Sequence, residues 1–250
     1  MPAGRATARD PSPWLAVSYS DVSGVTRLLA GADLVADLEQ RFVTVNDDVR
    51  VGRRDINILR PRSAEDLISE SDFDRDERLP YWAELWPSST ILANFVVADT
   101  RPRGRAIELG AGVGLVSIAA AIAGHDVTAS DYYEDALAFA RANAFRNLGR
   151  GIDTALIDWR DVSPDIPRFD VVLASDVLYE SRYAPLVAGV VERLLSPRGV
   201  AYIADPGRVA ANAFADACIE LGLEIRTAAT RPYQAGTVRQ TITVYEVTRK

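Results

Sequence analysis

The chain has one cysteine, Cys218, and one histidine, His125, among its 250 residues. A single thiol excludes any intrachain disulfide, and so few sulfur and imidazole ligands exclude the Cys/His clusters of a structural zinc site, so no metal is expected. Cys218 falls within an apolar helical pattern and is read as a core residue. His125 follows Gly124 just ahead of an apolar run and is read as a turn residue. A basic surplus is also missing: 28 Lys and Arg stand against 35 Asp and Glu, a formal net charge of -7 with pI ≈ 4.9. Phosphate contacts need a basic surface, so a nucleic-acid partner is not expected. No run approaches the length of a membrane span, and residues 1–13 hold Arg5 and Arg9 without an apolar stretch of signal-peptide type. A cytoplasmic protein is therefore expected. Neither an internal repeat nor a second catalytic domain is visible, and nothing in the sequence sets the oligomeric state.

What is present is a chain with enough apolar residues, 48%, to bury a sizeable core, at a length that fits one large α/β domain with an extension. Residues 1–13, rich in Pro, Ala, Gly and Arg, are predicted to be a disordered tail. Residues 14–80 form the extension. Apolar positions recur at helical spacing over residues 21–40, interrupted near Gly31, and two alternating runs over residues 42–59 predict a β-hairpin turning at Gly52, Arg53 and Arg54. A bulge or second turn is expected near Asn46 to Asp48. Residues 63–78 are acidic and are read as a solvated helix and loop, with a lid for a basic substrate as the sharper alternative. Then come Tyr81, Trp82 and Trp86 within six residues, which either anchor the extension or stack on a ligand.

Residues 81–250 alternate strand and helix. Helices are predicted near 88–98, 113–123, 134–147, 183–195 and 209–221, and strands near 106–109, 126–130, 153–157, 170–175 and 199–204. Two further β-like runs, 224–230 and 238–247, have no helix between them and are expected to pair antiparallel. The expected fold is α/β, a doubly wound and mostly parallel seven-stranded sheet with an N-terminal helical and β-hairpin extension.

The organising stretch is Glu108, Leu109, Gly110, Ala111, Gly112, Val113, Gly114, Leu115. An apolar strand enters a glycine turn and a helix leaves it, which brings backbone N–H groups and the positive end of a helix to one place. A dinucleotide fingerprint would require a third glycine at position 115, which is Leu115. A carboxylate at Glu108 suits a ligand bearing an ammonium and a sulfonium and repels a pyrophosphate. Further acidic residues fall at successive strand ends: Asp131, Asp158 and Asp176. In such a sheet those ends form the ligand crevice.

The Glu-x-Gly-x-Gly-x-Gly pattern resembles the first motif of class I S-adenosylmethionine-dependent methyltransferases, with a Rossmann-like methyltransferase fold, and the resemblance covers roughly residues 81–247. It implies S-adenosyl-L-methionine as cofactor and S-adenosyl-L-homocysteine as product. It also implies that Glu108, Gly110, Ala111 and Gly112 hold the methionine portion. Asp131, with Tyr132 beside it, would take the ribose hydroxyls, Asp158 and Trp159 would border the adenine, and Ser175 would lie near the reacting methyl. A narrower resemblance rests on Asp176, Val177, Leu178, Tyr179, an Asp-x-x-Tyr sequence after the fourth strand, and on the tryptophans of residues 81–87. These are similar to the seven-β-strand protein-lysine methyltransferase group, which implies Asp176 and Tyr179 as catalytic residues and a cofactor contact by Trp86. The implied reaction is N-methylation of a lysine side chain of a protein. Methylation of a small-molecule acceptor, or a cofactor-binding module without catalysis, are the alternatives.

Overall fold

The computed structural model describes residues 31–67 and 80–250. The tail, the first part of the helical pattern and most of the acidic stretch lie outside the described residues. The elements are α1 (Ala32–Arg41), β1 (Thr44–Val51), β2 (Arg54–Pro61), α2 (Pro87–Ala98), β3 (Arg105–Leu109), α3 (Leu115–Ala123), β4 (Asp126–Asp131), α4 (Glu134–Leu148) and β5 (Asp153–Leu156). They continue with β6 (Phe169–Ser175), α5 (Tyr183–Leu194), β7 (Leu195–Asp205), α6 (Ala211–Glu220), β8 (Leu223–Ala235) and β9 (Val238–Arg249).

Seven strands form one sheet in the order β5-β4-β3-β6-β7-β9-β8. Strands β3 to β7 pair in parallel, and β9 runs against β7 and β8. The chain winds outward from β3 to β5, then crosses to the other side of β3 to lay down β6. Beyond the carboxyl ends of β3 and β6 the order reverses, and this is where a doubly wound sheet opens a crevice. As a central parallel strand, β3 is covered on both faces: Ala106, Ile107, Glu108 and Leu109 are each at most 1% exposed.

Two apolar layers cover the sheet. On one face, Leu92 and Val96 of α2, Val116 and Ile118 of α3 and Phe139 of α4 pack together. Leu34 and Leu38 of α1 and Val51, Ile56 and Leu59 of the hairpin join the same cluster. The other face is covered by α5 and α6 through Val187, Val191, Phe214 and Cys218. Cys218 is fully buried, and burial pushes its thiol up to about 12, as befits a core residue. His125 follows the left-handed C-cap Gly124, and burial lowers its pKa. Among the described residues, no helix is long and apolar enough to cross a membrane.

Three local expectations are corrected. The hairpin register is unbroken from Thr44↔Pro61 to Val51↔Arg54, so no bulge forms at Asn46 to Asp48 and Arg54 belongs to the strand. The turn has two residues, with Gly52 at φ 58 supplying the backbone sign that matches strand twist. Helix α3 starts at Leu115 because Gly114, at φ 87, is left-handed. Strand β7 starts at Leu195, which already pairs with Phe169; the turn-forming Pro197 and Gly199 hide that early start in the sequence.

Candidate functional site

The loop from Leu109 to Leu115 needs its glycines for two different reasons. Gly112 has φ 51, and a Cβ there would lie 2.9 Å from the Trp82 carbonyl oxygen. Gly114 has φ 87, and its Cβ would meet the Cα and Cβ of Ala140 at 2.9 Å. The first brings the loop against the aromatic segment, and the second brings α3 against α4. Asp131, 6% exposed at the end of β4, fixes the loop: its Oδ2 accepts the Gly112 N–H at 2.9 Å and its Oδ1 the Tyr133 N–H at 3.1 Å. Burial raises the Asp131 pKa, and the N–H bonds from Gly112, Tyr133 and Tyr132 oppose that rise.

Above this loop lies an open cavity with about 970 Å³ of empty space, part of it open to solvent. Gly110, Ala111, Gly112, Asp131 and Tyr132 are among its lining residues. Asp158 and Trp159, from the loop after β5, line it as well, and so do Ser175, Asp176 and Tyr179 from the end of β6 and beyond. Trp86 comes from the segment before α2. Of the residues expected at the site, one is not on this wall. Glu108 is 1% exposed inside β3, where its Oε2 accepts the Ser117 hydroxyl at 2.5 Å. Burial raises its carboxyl to about 8, the Ser117 bonds oppose this, and the Asp131 charge adds to it.

Aromatic rings frame the opening. Tyr81 meets Trp86 and Tyr179 edge-on at 5.9 and 5.2 Å, Tyr179 lies 5.0 Å from Tyr183, and Tyr183 meets Trp159 edge-on at 5.9 Å. The indole N–H of Trp86 donates to the Tyr81 carbonyl at 2.9 Å, which fixes the ring. Asp158 is paired with Arg160 at 2.6 Å. Asp176 is the one non-glycine described residue with positive φ, 57°, a backbone form that is costly and that its N–H bond to the Ala204 carbonyl at 2.9 Å sustains. Its carboxylate takes the Arg208 Nε at 2.8 Å and the Ser88 hydroxyl at 3.4 Å.

Sequence reasoning did not find Glu84, Tyr183 or Arg208. Glu84 lines the cavity and accepts the Ala64 N–H at 3.0 Å while facing Arg60 at 3.4 Å. It sits inside the aromatic stretch already singled out, but its partners come from the hairpin and the segment after it. Acidic oxygens at Asp131 and Asp158 and the aromatic faces suit a ligand with a flat ring, hydroxyls and a cationic centre. Among the described residues, the cations near the wall, Arg160 and Arg208, are already paired with carboxylates, which disfavours a polyphosphate. The donors and acceptors present fit S-adenosylmethionine.

A family model described as lysine methyltransferase matches residues 75–214. The chain is 33% identical over 129 residues to the zebrafish (Danio rerio) protein N-lysine methyltransferase METTL21A, covering 48% of this chain and 58% of that one. It is 30% identical over 147 residues to the Xenopus laevis histone-arginine methyltransferase METTL23, covering 54% and 61%. The match thus spans about three fifths of the length of these curated relatives. Among solved structures, magnesium protoporphyrin IX methyltransferase from Synechocystis superposes with a TM-score of 0.54 at 20% identity, over 73% of this chain and 94% of that one. At that identity the likeness establishes the fold, the Rossmann-like sheet flanked by helices.

Proposed function

The chain belongs to the lysine methyltransferase family, and from that premise we propose that it transfers a methyl group from S-adenosyl-L-methionine to a lysine side chain of a protein. The observation that carries this reading is a shared wall. The glycine loop and Asp131 border the same cavity as Asp176 and Tyr179, which follow β6, and as Tyr81 and Trp86.

In this reading the glycine loop and Asp131 bind the methionine and ribose parts, and Trp159 with Asp158 borders the base. Glu108 lies beneath the loop, where burial keeps its carboxyl largely protonated at pH 7 and a bound cation would favour its ionised form. When bound, the cofactor supplies a sulfonium methyl: the amine lone pair forms the N–C bond, the C–S bond breaks with its electron pair passing to sulfur, and the ammonium product gives a proton to water. An ordinary lysine, of pKa about 10.4, is less than about one part in a thousand neutral at pH 7. The site must therefore orient an amine and favour its uncharged form. Asp176 takes the amine N–H and Tyr179 flanks it, while the surrounding rings restrict water.

The test uses purified protein, labelled S-adenosyl-L-methionine and a cell lysate as acceptor pool. The expected outcome is label on acceptor protein that acid hydrolysis recovers as methyl-lysine. Lys250 is the chain's one lysine, so Lys250→Arg removes self-labelling that would be recovered as methyl-lysine. Cofactor binding without transfer would leave a binding module, and label confined to small molecules would favour the metabolite reading. Recovery as methyl-arginine would overturn the lysine reading and place the chain with the relative named for arginine.

A further inference from the structure

Residues 205–208 read Asp, Pro, Gly, Arg. Oδ1 of Asp205 accepts the backbone N–H groups of Gly207 and Arg208, both at 2.7 Å, and Gly207 takes φ 87. The tight turn so formed directs the Arg208 side chain back across the end of β6. There its Nε meets Oδ1 of Asp176 at 2.8 Å, and its guanidinium lies 5.7 Å from the centre of the Trp86 ring. The Asp176 side chain is 3% exposed and that of Arg208 34%. Oδ2 of Asp176 has the Ser88 hydroxyl at 3.4 Å, a long bond that leaves acceptor capacity to spare. Asp205 itself is fully buried, and its Oδ2 has no hydrogen-bond partner. Asp176 therefore holds the Arg208 guanidinium, while Asp205 holds the backbone of the turn that carries it.

We propose that Arg208 is a specificity-determining residue of the acceptor site, which holds one oxygen of Asp176, turns the other toward the acceptor nitrogen, and disfavours the ammonium form of the acceptor. This rests on the reading of the cavity as an N-methyltransferase site. An Asp176 without a resident cation would bind an ammonium firmly, and an ammonium has no lone pair with which to attack. A guanidinium cannot release its proton in a protein, so its charge is permanent, and a second cation brought to the same carboxylate is repelled. The flat group also suits its place over the Trp86 ring. Among the described residues, the charged groups around Asp176 are Arg208, from the turn after β7, and Asp205, the last residue of β7, and α2 contributes the neutral Ser88.

The test needs no knowledge of the natural acceptor. Binding of n-butylammonium, a lysine side-chain mimic, is titrated calorimetrically into full-length protein at pH 8, with and without S-adenosylhomocysteine. Arg208→Gln is expected to bind n-butylammonium at least tenfold more tightly than wild type, Arg208→Lys to stay within threefold of wild type, and Asp176→Asn/Arg208→Gln to lose the gain. Equal affinity in wild type and Arg208→Gln overturns the proposal, as does a gain that survives Asp176→Asn. Arg208→Met, which keeps the apolar stem on Trp86, provides the same contrast should the Gln variant fold poorly. With the lysine peptide that wild type labels best on an array, Arg208→Gln should lower kcat tenfold or more without raising KM. A raised KM with intact kcat overturns the proposal as well. A wild type that binds no S-adenosylhomocysteine and labels no peptide refutes the methyltransferase reading instead, and the n-butylammonium contrast still decides the role of Arg208.

Discussion

Replacing Glu108 by Gln should remove a pH dependence of stability that a buried carboxyl imposes on the whole fold. Glu108 is 1% exposed within the central strand, and burial lifts its pKa from 4.5 to about 8. Between those values the folded protein holds a proton that the unfolded chain has released. The stabilisation is therefore complete below about pH 4.5 and is lost as the pH rises through about 8. At about 1.36 kcal/mol per unit, the loss between pH 5 and pH 9 is about 4 kcal/mol. Glutamine keeps the shape and the acceptor oxygen for the Ser117 hydroxyl but has no proton to lose. Urea unfolding of both proteins at unit pH steps from 5 to 9 provides the measurement, and subtracting the variant cancels most of the titration of other groups such as Asp131 and Asp205. The difference, wild type minus variant, should fall steadily by about 4 kcal/mol. Curves that stay parallel to within about 0.5 kcal/mol would refute the assignment of an elevated carboxyl at this position.

If S-adenosylmethionine binds at the glycine loop, its positive charge favours ionised Glu108, so binding at pH 7 should release part of a proton. Calorimetry in buffers of different ionisation enthalpy reads this as a slope, and Glu108→Gln should flatten it. Gly112→Ala puts a Cβ 2.9 Å from the Trp82 carbonyl at φ 51, so cofactor affinity should fall a hundredfold or more by equilibrium dialysis. Asp176→Asn should lower methyl transfer at least a hundredfold while cofactor affinity stays within threefold; normal turnover would remove Asp176 from the reaction. Asn143, fully buried in α4, bonds the Leu59 N–H and C=O at 2.8 Å each and the Val113 C=O at 2.9 Å. Asn143→Ala should cost about 3 kcal/mol in urea unfolding and speed amide exchange at Leu59, and a cost under about 0.5 kcal/mol would show that these groups find other partners.

The strand and helix alternation was legible because the periods are unmixed: β3 and β6 are short and mainly apolar, β4 alternates through Val127 and Ala129, and α4 spans fifteen residues from acidic Glu134 and Asp135 to the C-cap Gly149. The position of Glu108 was legible in principle and misjudged. Side chains alternate along a strand, and Ile107 and Leu109 face the α5 side, so Glu108 shares the face of Ala106 beneath α3 and meets Ser117 there. Its position at the strand end and the family resemblance imply a direct ligand contact, which this alternation does not support. Arg208 was illegible for another reason. Asp-Pro-Gly announces a turn, but the reach of a long side chain to a carboxylate on the adjacent strand depends on strand order, which no local pattern carries. The Glu84 contacts with Arg60 and the Ala64 N–H are of the same long-range kind.

The sequence suggests a boundary near residue 80 between extension and catalytic domain, yet the packing crosses it. Val51, Ile56 and Leu59 of the hairpin belong to the same apolar cluster as α2, α3 and α4. Polar links cross it too. Asn143 joins Leu59 to Val113 in the glycine loop, the Asn147 side chain exchanges two hydrogen bonds with the Asn57 backbone, and Glu84 on the cavity wall is tied to Arg60 and Ala64. Removing the hairpin would expose part of the core layer over the sheet and leave the fully buried Asn143 with unpaired polar atoms, a cost paid in the loop that shapes the cavity. The extension therefore acts on the site by holding its wall in place. A change in the hairpin that preserves these contacts should leave the cavity intact, whereas one that breaks them must disturb the glycine loop as well.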